Sequence, residues 1–100
     1  MNKYNSILIE ANDNVVTALW DIKKGETLIA MGLEDEIIAK MDIAKGHKAA
    51  IKEISKDTEV IKYGKMIGIA LFDIGVGDLV HAHNLRSNRG KELREEEEYA

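Results

Sequence analysis

One short motif occurs four times along the chain and constrains its fold more than any other feature. The stretch DIKKGETLI (21–29) recurs as EISKDTEVI (53–61) and DIGVGDLVH (73–81), and DIAKGHKAA (42–50) is a looser copy. Each copy has an acid, an Ile, two further residues, a Gly or Asp, a polar or charged residue and an apolar pair. Because Gly takes a positive φ at little steric cost and Asp tolerates that region, each copy predicts a turn that leads into a strand.

The other positions of the motif also carry predictions. The Ile of each copy is expected to enter the core, and the leading acid is expected to cap backbone amides of a turn rather than to act in catalysis. The isoleucines are Ile22, Ile43, Ile54 and Ile74, and the acids are Asp21, Asp42, Glu53 and Asp73.

Short apolar or alternating runs fill the space between the turns. They lie at 15–20, 27–30, 36–41, 59–63, 66–72 and 79–85. Strands of this length between turns of this kind predict a small, strongly bent all-β domain. The stretch KAAIKEI (48–54) has the composition of a helix, but seven residues make a marginal helix, so we predict a strand there as well.

Composition limits both the organisation and the partners of the chain. A length of 100 residues suits one domain, which we assign to residues 1–90, followed by an acidic tail over 91–100 with no assigned function. The absence of Cys excludes disulfides, thiolate zinc sites and Cys nucleophiles. A net charge of −4 without a basic stripe argues against nucleic acid as a partner. No stretch is apolar enough to span a membrane, so a cytoplasmic location is expected.

The stretch HAHNLR (81–86) holds the first group of candidate site residues. In the predicted strand over 79–85, His81 and His83 would lie on one face about 6.5 Å apart and could converge on a metal ion. Such spacing also arises in ordinary alternating strands, so two solvent-facing histidines are the alternative. Asn84 and Arg86 follow, with groups that suit the hydroxyls and carboxylate of a small polar ligand.

Two further groups lie near turns. His47 and Lys48 stand where a turn opens into a strand, at the edge of a cleft or simply on a surface turn. Asp13 and Asn14 are turn formers first and candidates for hydroxyl binding second. No phosphate loop, dinucleotide fingerprint or nucleophile elbow is present, which argues against an enzyme that acts by itself.

The order of the motifs resembles that of a known family. DNVVTALWDIKKGE, then GHKAAIKEI, then VIKYGKMIGIALFDIGVGDLVHAHNL resembles the N-terminal SAF domain of the altronate and galactarate dehydratase family, over about residues 12–85. That domain also occurs as a small subunit, as in sulfolactate sulfo-lyase. The resemblance implies a β-clip fold, in which long bent hairpins fold over on themselves. It also implies a large catalytic subunit as the partner and a sugar acid as the substrate.

The chemistry that the resemblance implies is β-elimination of water from a sugar acid. Such a reaction needs a base, an acid and a cation, for which the resemblance implies Fe(II) or Mn(II) shared with the large subunit. It implies His47 and Lys48 as catalytic residues and His81 and His83 as metal ligands. Asp13, Asn14, Asn84 and Arg86 are then the expected substrate-binding residues.

Several alternatives accompany this assignment. The chain could instead be the small subunit of a sulfolactate sulfo-lyase, or a non-enzymatic SAF module that binds a ligand or assists assembly. A homo-oligomer is compatible with each of these. Trp20, the one Trp of the chain, is expected either to dock a partner or to be the large aromatic of the core.

Overall fold

The computed structural model describes residues 4–87, in which nine short strands and no helix occur. The strands are β1 (Ser6–Ile7), β2 (Val15–Ala18), β3 (Thr27–Leu28), β4 (Ile37–Ile38), β5 (Lys48–Ala50), β6 (Glu59–Lys62), β7 (Lys65–Ala70), β8 (Leu79–Val80) and β9 (Leu85–Ser87). The prediction of an all-β domain is therefore confirmed, whereas the β-clip arrangement stays a prediction. The end of the domain at residue 90 and the tail over 91–100 lie outside the described residues.

All strand pairs are antiparallel. The central sheet has the order β1-β2-β5-β8, β3 pairs with β4, and a third sheet has the order β6-β7-β9. In the described part of the chain, no helix is long and apolar enough to cross a membrane.

The central sheet separates two hydrophobic clusters. Neighbouring residues of a strand face opposite sides of a sheet, and Val16 and Ala49 lie in one cluster while Val15 and Ala50 lie in the other. The first cluster is completed by Ala18, Ile22, Leu28, Ala30, Ile37, Ala39, Ile43 and Ile51, and the second by Ile54, Val60, Ala70, Ile74 and Val80. Burial on both faces explains why apolar residues are adjacent in these strands, as Val15 and Val16 are in β2 and Ala49 and Ala50 in β5.

The four motif copies form two reciprocal pairs. Ile22 bridges to Ile43 and Ile54 bridges to Ile74, and all four are buried as predicted. In each pair, the Gly or Asp at the turn of one copy donates its N–H to the backbone C=O of a buried Ala. This Ala lies three residues before the leading acid of the other copy in the pair. These bonds run from Gly25 to Ala39, Gly46 to Ala18, Asp57 to Ala70 and Gly77 to Ala50, over 2.8 or 2.9 Å. The donors have the predicted positive φ, at 94°, 84°, 72° and 92° respectively.

Three of the four leading acids cap the partner turn rather than their own, and the capping role of Glu53 stays a prediction. Asp21 accepts a hydrogen bond from the Lys45 N–H at 3.0 Å, and Asp42 accepts one from the Lys24 N–H at 2.9 Å. In the second pair, Asp73 accepts the Lys56 N–H at 2.9 Å. The structural role predicted for these three acids is confirmed, and it ties the two turns of each pair together.

Two expectations from the sequence are wrong. The run 79–85 is not one strand: β8 ends at Val80, residues 81–84 turn, and β9 begins at Leu85. The reason is that Asn84 closes the turn, because its backbone N–H donates to the C=O of His81 at 3.0 Å. Trp20 is not a core aromatic, since 51% of it is exposed. The strand predicted within KAAIKEI is confirmed as β5.

Candidate functional site

The two histidine-containing segments meet at one edge of the central sheet. His47 immediately precedes β5, His81 immediately follows β8, and the pairing of Lys48 with Val80 brings the two histidines opposite each other. Their rings stack with centroids 4.3 Å apart and planes at 11°. The fold thus brings His47, a predicted catalytic residue, into ring contact with His81, a predicted metal ligand.

The surroundings of His81 hold its pKa below the ordinary value of 6.5. The largest cause is desolvation, followed by the charges of His47, Lys48 and finally His83. Each of these disfavours the imidazolium form. The His81 ring is therefore biased towards its neutral form, in which one nitrogen donates a hydrogen bond and the other accepts one.

Lys48 lies half-buried beside the histidine stack, in a surface depression of about 360 Å³. The same depression is lined by Lys62, Tyr63 and His81. Burial and then the charge of Lys62 lower the pKa of Lys48. An ammonium group in this position gives up its proton more readily than one in solvent.

Asn84 holds His81 in place. Its Oδ1 accepts the backbone N–H of His81 at 2.9 Å, and its amide nitrogen donates to the C=O of Leu79 at 2.8 Å. The residue is 7% exposed, so both polar ends of the side chain are committed inside the protein. In this structure Asn84 positions a residue of the candidate site, and its predicted contact with substrate stays a prediction.

Asp13 has the same kind of role at the tip of the β6–β7 hairpin. Its carboxylate is 0% exposed and accepts the backbone N–H groups of Glu10, Tyr63 and Gly64 at 3.1, 3.1 and 2.8 Å. These bonds fix the backbone of the hairpin turn that carries Tyr63. The carboxylate is thus buried and engaged by the backbone, and the predicted contact of Asp13 with a substrate stays a prediction.

Asn14 secures the strand that leads to the same turn. Its Oδ1 accepts the N–H of Ile61 at 2.7 Å, and its amide nitrogen donates to the C=O of Glu59 at 3.0 Å. Both ends of the Asn14 side chain are thereby bonded to β6. Asp13, Asn14 and Asn84 thus support the backbone around the depression, and their predicted contacts with substrate stay predictions.

The remaining predicted residues stand apart from this group. His83 and Arg86 are exposed, and neither lines the depression that holds Lys48. The side chains that the sequence missed are Lys62 and Tyr63. The signal in the sequence was the Tyr-Gly pair at residues 63 and 64, because a two-residue hairpin turn usually has Asn-Gly at these positions. Both residues of the pair take a positive φ, at 60° and 72°.

The described residues do not make a metal site by themselves. Within residues 4–87, no three His, Asp or Glu side chains are grouped so as to hold a metal ion. The lone pairs of an imidazole lie in the plane of the ring, so the nearly parallel rings of His47 and His81 do not aim at one point. An ion bound by His81 or His83 would need further ligands from elsewhere, and the predicted Fe(II) or Mn(II) stays a prediction.

A second depression, of about 340 Å³, is lined by His47. Its polar lining includes Asp21 and Asp42. These carboxylates cap the backbone amides of the first turn pair. The first depression is therefore the better candidate for a site, because its cationic groups have no such structural duty.

Residues 4–88 match the family described as the altronate/galactarate dehydratase SAF domain. The chain belongs to this family. It is 46% identical to the altronate dehydratase of Escherichia coli (strain K12) and 45% identical to that of Bacillus subtilis (strain 168), in each case over 82 residues that make up 82% of this chain. These residues cover 16% of each relative, so the chain spans about a sixth of the length of these enzymes.

A shorter relative is matched over most of its length. The chain is 43% identical over 53 residues to the (2R)-sulfolactate sulfo-lyase subunit alpha of Paracoccus pantotrophus. The match covers 53% of this chain and 79% of that subunit. The relatives thus include two altronate dehydratases of which this chain matches a small part and a sulfo-lyase subunit of which it matches most.

Proposed function

We propose that the chain contributes part of the active site of a sugar-acid hydro-lyase, as a small subunit beside a separate large catalytic subunit. The observation that carries this proposal is the grouping of His47, Lys48 and His81 at one edge of the central sheet. The altronate dehydratases among the relatives support the reaction type, and the separate sulfo-lyase subunit alpha supports the arrangement in two chains.

The proposed reaction is β-elimination of water. A base removes the proton α to the carboxylate, an acid protonates the departing hydroxyl, and the resulting enol becomes a 2-keto-3-deoxy acid. Lys48, with its lowered pKa, and the adjacent His47 are the groups of this chain suited to move these protons. A divalent metal would stabilise the negative charge that develops, with ligands that the described residues of this chain do not complete.

A second candidate is a sulfolactate sulfo-lyase subunit, which the match to most of the Paracoccus subunit favours. The two candidates differ in the leaving group, bisulfite instead of water. The grouping of His47, Lys48 and His81 suits either elimination, so the substrate must be identified by assay.

Co-expression tests both candidates. The chain is produced together with the polypeptide encoded beside it, co-purified, and assayed with altronate, galactarate and sulfolactate in the presence of ferrous iron or manganese. We expect a complex that converts one of these acids only when both chains are present. Failure of the chains to associate would contradict the subunit proposal and favour an independent binding module.

The double variant His81→Gln/His83→Gln provides the functional control in that complex. If the histidines contact the reacting groups, turnover should fall by about two to three orders of magnitude, as is typical when a charge-stabilising group is lost. If the chain is only an assembly module, the variant should associate and leave turnover unchanged.

A further inference from the structure

The depression beside His81 has the features of an anion site. We propose that Lys48, Lys62 and Tyr63 bind the carboxylate end of a hydroxylated acid, with His81 at the rim. The inference rests on the proposed function in one respect, because the acid would be the substrate of the same site. The binding itself would be a property of this chain and does not require the large subunit.

The first argument is the local reversal of charge. The chain has 18 acidic and 14 basic residues, yet the depression is lined by Lys48, Lys62 and His81 and by no carboxylate of the described residues. Neither lysine forms an ion pair within residues 4–87, where the one recorded ion pair joins Lys40 to Asp78. The two ammonium groups have no counter-charge among the described lining residues and repel each other, so an anion that enters the depression relieves that repulsion.

The second argument is the constrained position of Tyr63. A bulky residue at φ 60° is strained, and Gly or Asn would occupy the turn at lower cost. The strain is maintained by the buried Asp13 carboxylate, which accepts the N–H groups of Tyr63 and Gly64. Strain that the surrounding structure enforces is characteristic of functional sites, and here it places the aromatic ring of Tyr63 at the depression.

The third argument is the chemistry and size of the lining. Two ammonium groups, an imidazole and the phenol of Tyr63 offer hydrogen-bond donors that match carboxylate oxygens. The Lys62 Nζ lies 5.0 Å from the centre of the Tyr63 ring, which stabilises the ammonium group through a cation–π contact. An open depression of about 360 Å³ holds one end of a sugar acid and leaves the other end for a partner.

Binding to the isolated chain tests the proposal. Galactarate and its uncharged counterpart galactitol are titrated into isotopically labelled protein at constant ionic strength, and NMR resonances of the lysine side chains and of Tyr63 are followed. We expect galactarate to shift the resonances of Lys48, Lys62 and Tyr63 and galactitol to leave them unchanged.

Single variants give the matched comparison. Lys48→Gln and Lys62→Gln should each weaken galactarate binding about tenfold, because a charge-assisted hydrogen bond is lost, and Tyr63→Phe should weaken it by a smaller factor. Lys65→Gln is the control, since Lys65 belongs to the same hairpin but does not line this depression. Equal shifts with galactarate and galactitol, or no shift with either, would overturn the proposal. Unchanged binding by both lysine variants would overturn it too.

The galactarate-binding experiment and the co-expression experiment can fail independently of each other. Galactarate binding by the isolated chain stands even if no partner subunit is found, in which case the chain is a carboxylate-binding module. Conversely, an active complex in which Lys62→Gln and Tyr63→Phe leave KM unchanged would support the lyase while contradicting this carboxylate site.

Discussion

At the scale of single residues, the buried carboxylate of Asp13 organises the corner at which Tyr63 lies. It accepts three backbone N–H groups in a setting with no exposure to water. Asp13→Ala should lower the free energy of unfolding by about 2–4 kcal/mol, since each buried donor left unpaired costs about 1–3 kcal/mol and local rearrangement recovers part of that. Chemical denaturation with urea, followed by circular dichroism, measures the change.

Asn12→Ala is the matched control for that variant. Asn12 is the exposed neighbour of Asp13, and its replacement should change the stability by less than about 0.5 kcal/mol. An Asp13→Ala protein as stable as the Asn12→Ala protein would mean that the three hydrogen bonds do not hold the turn.

The stacked histidines give a second prediction at this scale. His47→Gln removes the second-largest cause of the lowered pKa of His81, so that pKa should rise towards its ordinary value. His83→Gln removes the smallest cause and should produce a smaller rise. An NMR titration of the His81 ring protons measures both changes, and equal pKa values in the two variants would contradict the importance of the stack.

The lowered pKa of His81 also makes the free energy of unfolding depend on pH. Because the pKa of His81 is lower in the folded chain than in the unfolded chain, the unfolded chain takes up a proton first as pH falls. Protonation of His81 therefore costs stability below about pH 6.5. His47→Gln should reduce this acid sensitivity.

At the scale of elements, the paired turns place different demands on their glycines. Gly77 has φ 92°, and a Cβ there would lie 2.3 Å from the carbonyl oxygen of Ile38. Gly25 has φ 94°, but a Cβ there would meet nothing within 4 Å. Gly25→Ala should cost about 1–2 kcal/mol from backbone strain alone, whereas Gly77→Ala should cost at least twice as much. Equal losses in urea denaturation would contradict the close approach of the two backbones at Gly77.

The sequence predicted these elements well because their signals are local. A Gly or Asp at the required position announces each turn, and the isoleucines and acids of each copy identify its core and capping positions. The sequence also contains a signal for the pairing of the turns. An Ala lies three residues before each acid, at 18, 39, 50 and 70, and these alanines accept the bonds that join the turns in pairs.

The candidate site was harder to predict because its contacts are not local. The alternation of His81 and His83 is typical of a strand, and only the side-chain bonds of Asn84 reveal that the chain turns there. The stack of His47 on His81 depends on the pairing of β5 with β8, which no single segment encodes. Polar residue types indicated which segments form the candidate site, but they did not distinguish side chains that line the depression from those that support its backbone.

At the scale of the whole molecule, two hydrophobic clusters share one sheet. Val15 and Val16 face opposite clusters from adjacent positions of β2, and Ala49 and Ala50 do the same in β5. Both clusters therefore depend on the same sheet, and loss of packing in one cluster destabilises the sheet against which the other cluster packs. For this reason we expect the described domain to unfold in one cooperative step although its motif copies form two separate pairs.

Trp20 allows this expectation to be tested, because the one Trp of the chain belongs to the first turn pair. Ile43→Val and Ile74→Val each remove one methylene-sized group from a different cluster and should each cost about 0.5–1.5 kcal/mol. In a cooperative domain, Ile74→Val lowers the midpoint of the Trp20 fluorescence transition on heating by about the same amount, roughly 2–10 °C, as Ile43→Val does. Circular dichroism should give the same midpoints. If Ile74→Val shifts the circular dichroism transition while the Trp20 transition stays in place, the two halves unfold independently and the central sheet does not couple them.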